Sequence, residues 1–245
     1  MSSRAKIEDQ PMPSIRLFVS SITLLAVSTV LAAESAFRTH DEAAFTAQGN
    51  EPGWSLRMTE TKIRLNLDYG ARTIEARRPK AIIEDNATRY RVPDEDVRIT
   101  VREQRCHDDM SGMPYPLRVE IKVEGRELRG CGGEPRALLE GSAWTLSSLK
   151  GEALPEAVSI TIQFLENNRI AGNSGCNRFM GGYVLTGEGL SFSQLGGTMM
   201  ACPEPQMQVE QQFLDLMAEV IGFDLSADGA LLLKTAVGTQ LTARR

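Results

Sequence analysis

The chain has 245 residues, 42% apolar and 24% charged, with 21 glycines and 11 prolines; this globular composition supplies a core and excludes a disordered or fibrous protein. A net charge of -5, a pI near 5.3 and the lack of a dense Lys/Arg stripe exclude phosphate-backbone binding as the main task, so no nucleic-acid partner is expected. The Arg-rich stretches (Arg72, Arg77, Arg78, then Arg98, Arg102, Arg105) are interleaved with acids along the chain and read as solvated strand faces.

Residues 1–33 read as a secretory signal peptide. Arg16 precedes an apolar run from Leu17 to Val27, and the segment closes on Val30-Leu31-Ala32-Ala33, where small residues suit cleavage after Ala32 or Ala33. Ser20, Ser21, Thr23, Ser28 and Thr29 dilute the run relative to the roughly 20 strongly apolar residues of a membrane span. An uncleaved anchor is the rival reading, and membrane contact is expected through it or not at all. No lipobox cysteine follows. Met12 competes with Met1 as the start, because Glu8 and Asp9 do not suit the basic region of a signal. The expected compartment is the periplasm or the exterior.

After the signal, apolar residues alternate with period two, the mark of half-buried strands. In a first domain over 43–134, Lys62–Leu67, Val97–Arg102 and Leu117–Val123 alternate cleanly, with turns at Asp68-Tyr69-Gly70, Asp85-Asn86-Ala87 and Glu124-Gly125-Arg126. Residues 135–141, with Pro135 and Gly141, read as a linker. A second domain over 142–245 opens at Trp144 and places strands at Ser159–Phe164, Tyr183–Leu185 and Leu190–Phe192, with two more near Leu231–Leu233 and Gln240–Thr242. A helix is expected at about 203–221: Pro203 and Pro205 suit its first turn, Glu204 complements its positive end, and Gly222 stops it. Val209, Phe213, Leu216 and Val220 recur at helical spacing, widened by Met207, Leu214, Met217 and Ile221, and read as core. The fold class is mainly β or α+β, two small antiparallel β domains with one packed helix in the second.

Cys106, Cys131, Cys176 and Cys202 all lie beyond the signal, and an even count in an exported chain reads first as disulfides. Four cysteines allow three connectivities. The short separations favour Cys106–Cys131 and Cys176–Cys202, each worth about 3 kcal/mol in the chain-entropy model. A zinc site from Cys106, His107, Asp108 and Cys131 is the rival, against which stands the absence of close Cys-x-x-Cys pairs.

The segment Gly172-Asn173-Ser174-Gly175-Cys176-Asn177-Arg178-Phe179, then Leu190-Ser191-Phe192, then Thr198-Met199-Met200-Ala201-Cys202-Pro203 before a Glu/Gln-rich helix, resembles the META (HslJ-like) domain. The resemblance implies a compact domain of antiparallel strands with one helix, found in bacterial envelope proteins, associated with heat-shock and novobiocin-resistance phenotypes and without an established catalytic activity. In the first half, Ala47-Gln48-Gly49-Asn50-Glu51-Pro52-Gly53-Trp54, Cys106–Pro116 and Gly130-Cys131-Gly132-Gly133 resemble an uncharacterised bacterial envelope domain that often accompanies a META domain.

Candidate binding residues follow from these loops. Asn173, Asn177 and Arg178 could line a polar groove beside Cys176–Cys202, with Arg178 suited to a carboxylate or phosphate. The competing reading is a tight loop pinned by that bridge. In the first half Asn50, Glu51 and Trp54 could meet Asp108, Asp109, Ser111 and Tyr115; paired acids would suit proton transfer or calcium. Only two histidines, His40 and His107, are present, with no nucleophile elbow, phosphate loop or dinucleotide fingerprint. The expectation is a monomeric, non-enzymatic binding or stress-protection module of the envelope. No cofactor or metal is expected, and the partner is a small molecule or an envelope protein. A hydrolase-like or ion-binding centre at Glu51/Asp108/Asp109 and an envelope assembly factor acting through a sheet edge remain the alternatives.

Overall fold

Period-two patterning becomes two antiparallel sheets in the computed structural model, which describes residues 45–245. The signal peptide, His40 and the expected domain start at 43 lie outside the described residues.

The first half supplies β1 (Phe45–Asn50), β2 (Gly53–Met58), β3 (Lys62–Leu67), β4 (Arg72–Arg77), β5 (Ile82–Glu84), β6 (Ala87–Val92) and β7 (Val97–Arg102). After a small hairpin of β8 (Cys106–His107) and β9 (Pro114–Tyr115) come β10 (Leu117–Val123) and β11 (Arg126–Gly132). The nine long strands form one sheet in the order β4-β3-β2-β1-β11-β10-β7-β6-β5. Two-residue loops Asp85-Asn86 and Glu124-Gly125, all at positive φ, match the right-handed twist of their strands. Alternation sends Leu56, Met58, Ile63, Leu65, Ile99, Val119 and Ile121 into a single core that also receives Ile74 from β4 and Tyr90 from β6. One face of the sheet therefore closes upon itself.

The register of the opposite face sorts charge in a way the linear sequence hides. Across β6, β7 and β10, Arg91 stands opposite Arg98 and Arg98 opposite Lys122, while Arg102 stands opposite Arg118. Arg89 and Arg129 share this face, and the acids on it are Glu84, Glu120 and Glu127, of which Glu84 pairs with Arg89 at 2.9 Å and Glu127 with Arg129 at 3.0 Å. The acids that follow the arginines in sequence (Asp94, Glu95 and Asp96) sit in the turn between β6 and β7.

The second half supplies β12 (Trp144–Leu149), β13 (Glu152–Ala153), β14 (Ile160–Leu165), β15 (Arg169–Ser174), β16 (Arg178–Thr186) and β17 (Gly189–Gly197). Helix α1 (Glu204–Ala218) follows, then β18 (Gly222–Leu225), β19 (Leu231–Thr235) and β20 (Gly238–Arg244). The sheet order is β17-β16-β15-β14-β12-β20-β19-β18, with β13 beside β12. Leu190 N–H donates to Ile221 O at 3.1 Å, so β17 also touches the approach to β18. The helix buries Phe213, Leu216 and Met217 against this sheet. It is shorter than the expected 203–221: Pro203 has extended ψ, and Glu219 N–H caps the carbonyls of Leu216 and Met217. Val220 is buried beyond the helix end, whereas Met207 and Ile221, expected on the apolar stripe, are exposed. Among the described residues no helix is long and apolar enough to cross a membrane.

Within residues 135–141, read as a linker, one side chain is buried and Ala137 and Gly141 are exposed. Pro135–Leu138 form a 3-10 turn, and Leu139 is wholly buried with its carbonyl accepting Trp144 Nε1–H at 2.9 Å. Met113, from the β8–β9 hairpin of the first half, is buried in the core of the second half beside the partly buried Tyr115.

Candidate functional site

The motif around Gly49 to Trp54 is a hairpin between β1 and β2 whose glycines make room for aromatic rings. A Cβ on Gly49 would come within 2.8 Å of Trp54 Cε2, and one on Gly53 within 2.8 Å of Tyr69 Cζ. Trp54 is thereby buried, its Nε1–H donating to Arg129 O at 3.2 Å, and Tyr69 O–H donates to Asn50 O at 2.7 Å. The rings fix the hairpin tip from both sides and aim the Asn50 side chain at the β8–β9 loop.

That loop is organised by Asp108. Its Oδ1 accepts from Met110 N–H (3.1 Å), Ser111 N–H (2.8 Å) and Ser111 Oγ–H (2.9 Å), and its Oδ2 accepts Asn50 Nδ2–H at 3.0 Å. This is an Asx-type turn, in which a side-chain carboxylate replaces backbone acceptors. Burial pushes the Asp108 pKa up, but the donors of Ser111, Asn50 and Met110 outweigh it and hold the group below the usual aspartate value. Burial, followed by the charges of Asp108 and Glu134, raises the phenol pKa of Tyr115. The Cys106–Cys131 disulfide, with Cα atoms 5.5 Å apart, ties β8 to β11.

Above this bridge lies a cavity of about 200 Å³ lined by Gln48, Gly49, Asn50, His107, Asp108, Asp109, Arg118, Arg129 and Gly130 with the two cysteines. The structure thus brings Asn50, Asp108 and Asp109 together. Tyr115 stands beside them, its hydroxyl 3.5 Å from Gln48 Nε2. Glu51 is exposed in the β1–β2 turn and does not line the cavity, and Trp54 belongs to the core. Cys106 and Cys131 are oxidised to each other and offer no thiolate to zinc; among the described residues no group of three His, Cys, Asp or Glu is placed to hold a metal.

In the second half, the loop between β15 and β16 turns at Gly175 (φ +115°) and is tied by the Cys176–Cys202 disulfide, Cα atoms 6.0 Å apart. Asn177 is buried with every side-chain donor and acceptor engaged. Its Oδ1 accepts Thr198 Oγ1–H and Met200 N–H, each at 2.7 Å, and its Nδ2 donates to Glu210 Oε2 (2.9 Å) and Met200 O (3.3 Å). Glu210, on α1, also accepts Asn177 N–H at 2.9 Å and the Ser174 hydroxyl. Burial raises the Glu210 pKa, but the donors of Ser174, Asn177 and the Cys176 amide outweigh it and leave the pKa lowered. Asn173 accepts Gly175 N–H on Oδ1 at 2.8 Å, and Arg178 is exposed with its N–H bonded to Thr198 Oγ1 at 3.2 Å. Of the three groove residues expected here, Asn177 and Asn173 shape the loop and Arg178 alone faces solvent.

The halves meet through His107 and Arg105, named from the sequence in other roles, and through Asp224 and Lys234, which the sequence reading did not single out. Asp224 on β18 pairs with His107 Nε2 at 2.9 Å and accepts Lys234 Nζ–H at 2.9 Å; Arg105 donates to Leu225 O. Burial raises the Asp224 pKa, outweighed by the bonds from His107, Lys234 and the Leu225 amide, which leave it lowered. Ser174, Thr198 and Glu210 were also missed. The available signal for Glu210 was its position three before Phe213 and seven before Met217, on the helix face that enters the core.

All four cysteines are paired, the pattern of an oxidising, extracytoplasmic compartment. No curated protein matches the chain. Two solved structures are similar to its parts. An NMR structure of a protein from Burkholderia xenovorans is 34% identical, covering 44% of this chain and 84% of that one, with a TM-score of 0.38. A second NMR structure is 28% identical over 44% of this chain and 92% of that one, with a TM-score of 0.37. The loop bridged to Cys202, the sheet and the single helix lie within residues 137–245, which match the family model of the META domain, and this C-terminal part of the chain is a META domain.

Proposed function

We propose that the protein is an exported, non-catalytic binding module of the bacterial envelope that acts in stress protection. The observation that carries the reading is the way the two disulfide loops use their carboxylates. Asp108, in the first loop, and Glu210, on the helix beside the second, each accept several hydrogen bonds that fasten the loop and lower the carboxyl pKa. A carboxylate engaged in this way fixes the shape of a surface and is poorly placed to exchange protons near neutral pH. What remains for a ligand is the polar recess over Cys106–Cys131, with Asn50, Asp109 and Arg118 at its wall. A recess already set by a bridge and two aromatic rings loses little conformational freedom on binding, which favours recognition of a small polar molecule or a partner's side chain.

Two disulfides support an extracytoplasmic site of action, and the META domain extends the reading to heat-shock or antibiotic tolerance. The test is a deletion strain complemented with the full chain and challenged with heat and with novobiocin, alongside cell fractionation. The expected result is sensitivity of the deletion, rescue by the wild type from the periplasmic fraction, and poor rescue by Arg118→Ala. Unchanged growth of the deletion strain under both stresses, or a chain retained in the cytoplasm, defeats the reading.

A further inference from the structure

We infer that the outer face of β6, β7 and β10 is a docking surface for an anionic lipid bilayer, with phosphate headgroups as the ligand. The proposal takes only the compartment from the reading above. Its basis is the cross-strand register. Arg91, Arg98 and Lys122 form one row of directly opposed cations and Arg102 with Arg118 another. Like charges placed directly opposite in an antiparallel sheet repel and destabilise it, and Arg91, Arg102 and Arg118 have no ion-pair partner among the described residues. Glu84, Asp96 and Glu127 relieve part of this repulsion by pairing with Arg89, Arg98, Lys122 and Arg129, and leave that of the three unpaired arginines. An external anion would relieve it.

Two further features select a bilayer over a soluble polyanion. The cations spread in two dimensions, across strands about 4.8 Å apart and along rows about 7 Å apart. That array complements a headgroup lattice, whereas a single-file polyanion asks for one stripe. The adjoining edge strand β5 also exposes Ile82 (51%), which stands opposite Arg89 on the basic face. An exposed apolar edge beside a polybasic surface is the pairing used by proteins that lie on membranes; a soluble polyanion has no use for it.

The test is co-sedimentation of the full chain with phosphatidylcholine vesicles, with and without phosphatidylglycerol, and with heparin as the soluble polyanion. Binding is expected only to the phosphatidylglycerol vesicles, weakening with salt and by about fivefold for each cation removed. The triple variant R91Q/R102Q/R118Q should lose binding while melting at the same temperature as the wild type or above it, because it removes repulsion; Arg169→Gln, at an exposed position on β15 of the other sheet, should bind as the wild type. Ile82→Ser should weaken vesicle binding. Equal binding to neutral vesicles, undiminished binding by the triple variant, or binding to heparin without binding to vesicles overturns the proposal. Each of these results is independent of growth phenotype and export, so failure here is distinct from failure of the stress-protection reading.

Discussion

Asn177 and Glu210 clasp each other twice, Nδ2 to Oε2 and backbone N to Oε1, both at 2.9 Å, and so fasten the bridged loop of the META domain to its helix. Glu210→Ala would leave Asn177 N–H and one Nδ2–H without their acceptor, while the Ser174 hydroxyl keeps Asn177 O. A hydrogen bond to a charged group contributes about 1.5–3 kcal/mol, and the expected loss is about 3 kcal/mol, read from urea unfolding. Glu210→Gln, which keeps one acceptor, should cost less. A change in unfolding midpoint within error for Glu210→Ala would show that the clasp is dispensable.

The same residue sets an acid dependence. Glu210 has a lower pKa in the folded protein than in the unfolded chain, so unfolding in acid takes up a proton. Its stabilisation is complete above the ordinary value of 4.5 and fades as the pH falls from there through the lower folded value. Asp108 and Asp224, also lowered, lose their contributions below 3.8. The melting temperature of Glu210→Gln should therefore fall less steeply with acid than that of the wild type, and parallel curves would contradict this.

Met113 belongs by sequence to the first half and by packing to the second. Met113→Ala should cost about 2–4 kcal/mol through the cavity it leaves. The loss of hydrogen-exchange protection should appear in α1 and β18 while β2 and β3 stay protected. By the same packing logic, a fragment beginning at Ala137 should be more stable than one beginning at Ser142, by about 2 kcal/mol for the buried Leu139. Equal melting temperatures for the two fragments would refute the second expectation.

Gly49 tests the aromatic clamp. A methyl at Gly49 meets the Trp54 indole, and overpacking of this kind costs about 1–3 kcal/mol. Gly49→Ala should lower stability by that amount and change the near-ultraviolet circular dichroism of Trp54. An unaltered spectrum would place the ring elsewhere.

Much of this fold was readable because alternation is a local property. Lys62–Leu67, Val97–Arg102 and Leu117–Val123 became strands as expected, and the Cys106–Cys131 and Cys176–Cys202 pairs followed from spacing. The hairpin of β1 and β2 was hidden because its glycines serve neighbouring rings, so its composition resembles that of a loop. Glu210, Asp224 and Lys234 were hidden for a different reason: their partners are distant in sequence, and a charged residue announces nothing about whom it will meet. The arginines of β6 and β7 were misleading in a third way. Acids flank them along the chain, but strand pairing gathers the arginines on one face and leaves Arg91 and Arg102 without an ion-pair partner among the described residues.

The Cys106–Cys131 bridge ties down the hairpin that delivers Met113, so a covalent bond formed in the first half completes the interior of the second. Reduction of that bridge is therefore expected to lower the stability of the META domain as well as that of the first half. One covalent bond thereby links the integrity of two sheets, and its redox state is felt on both sides of it.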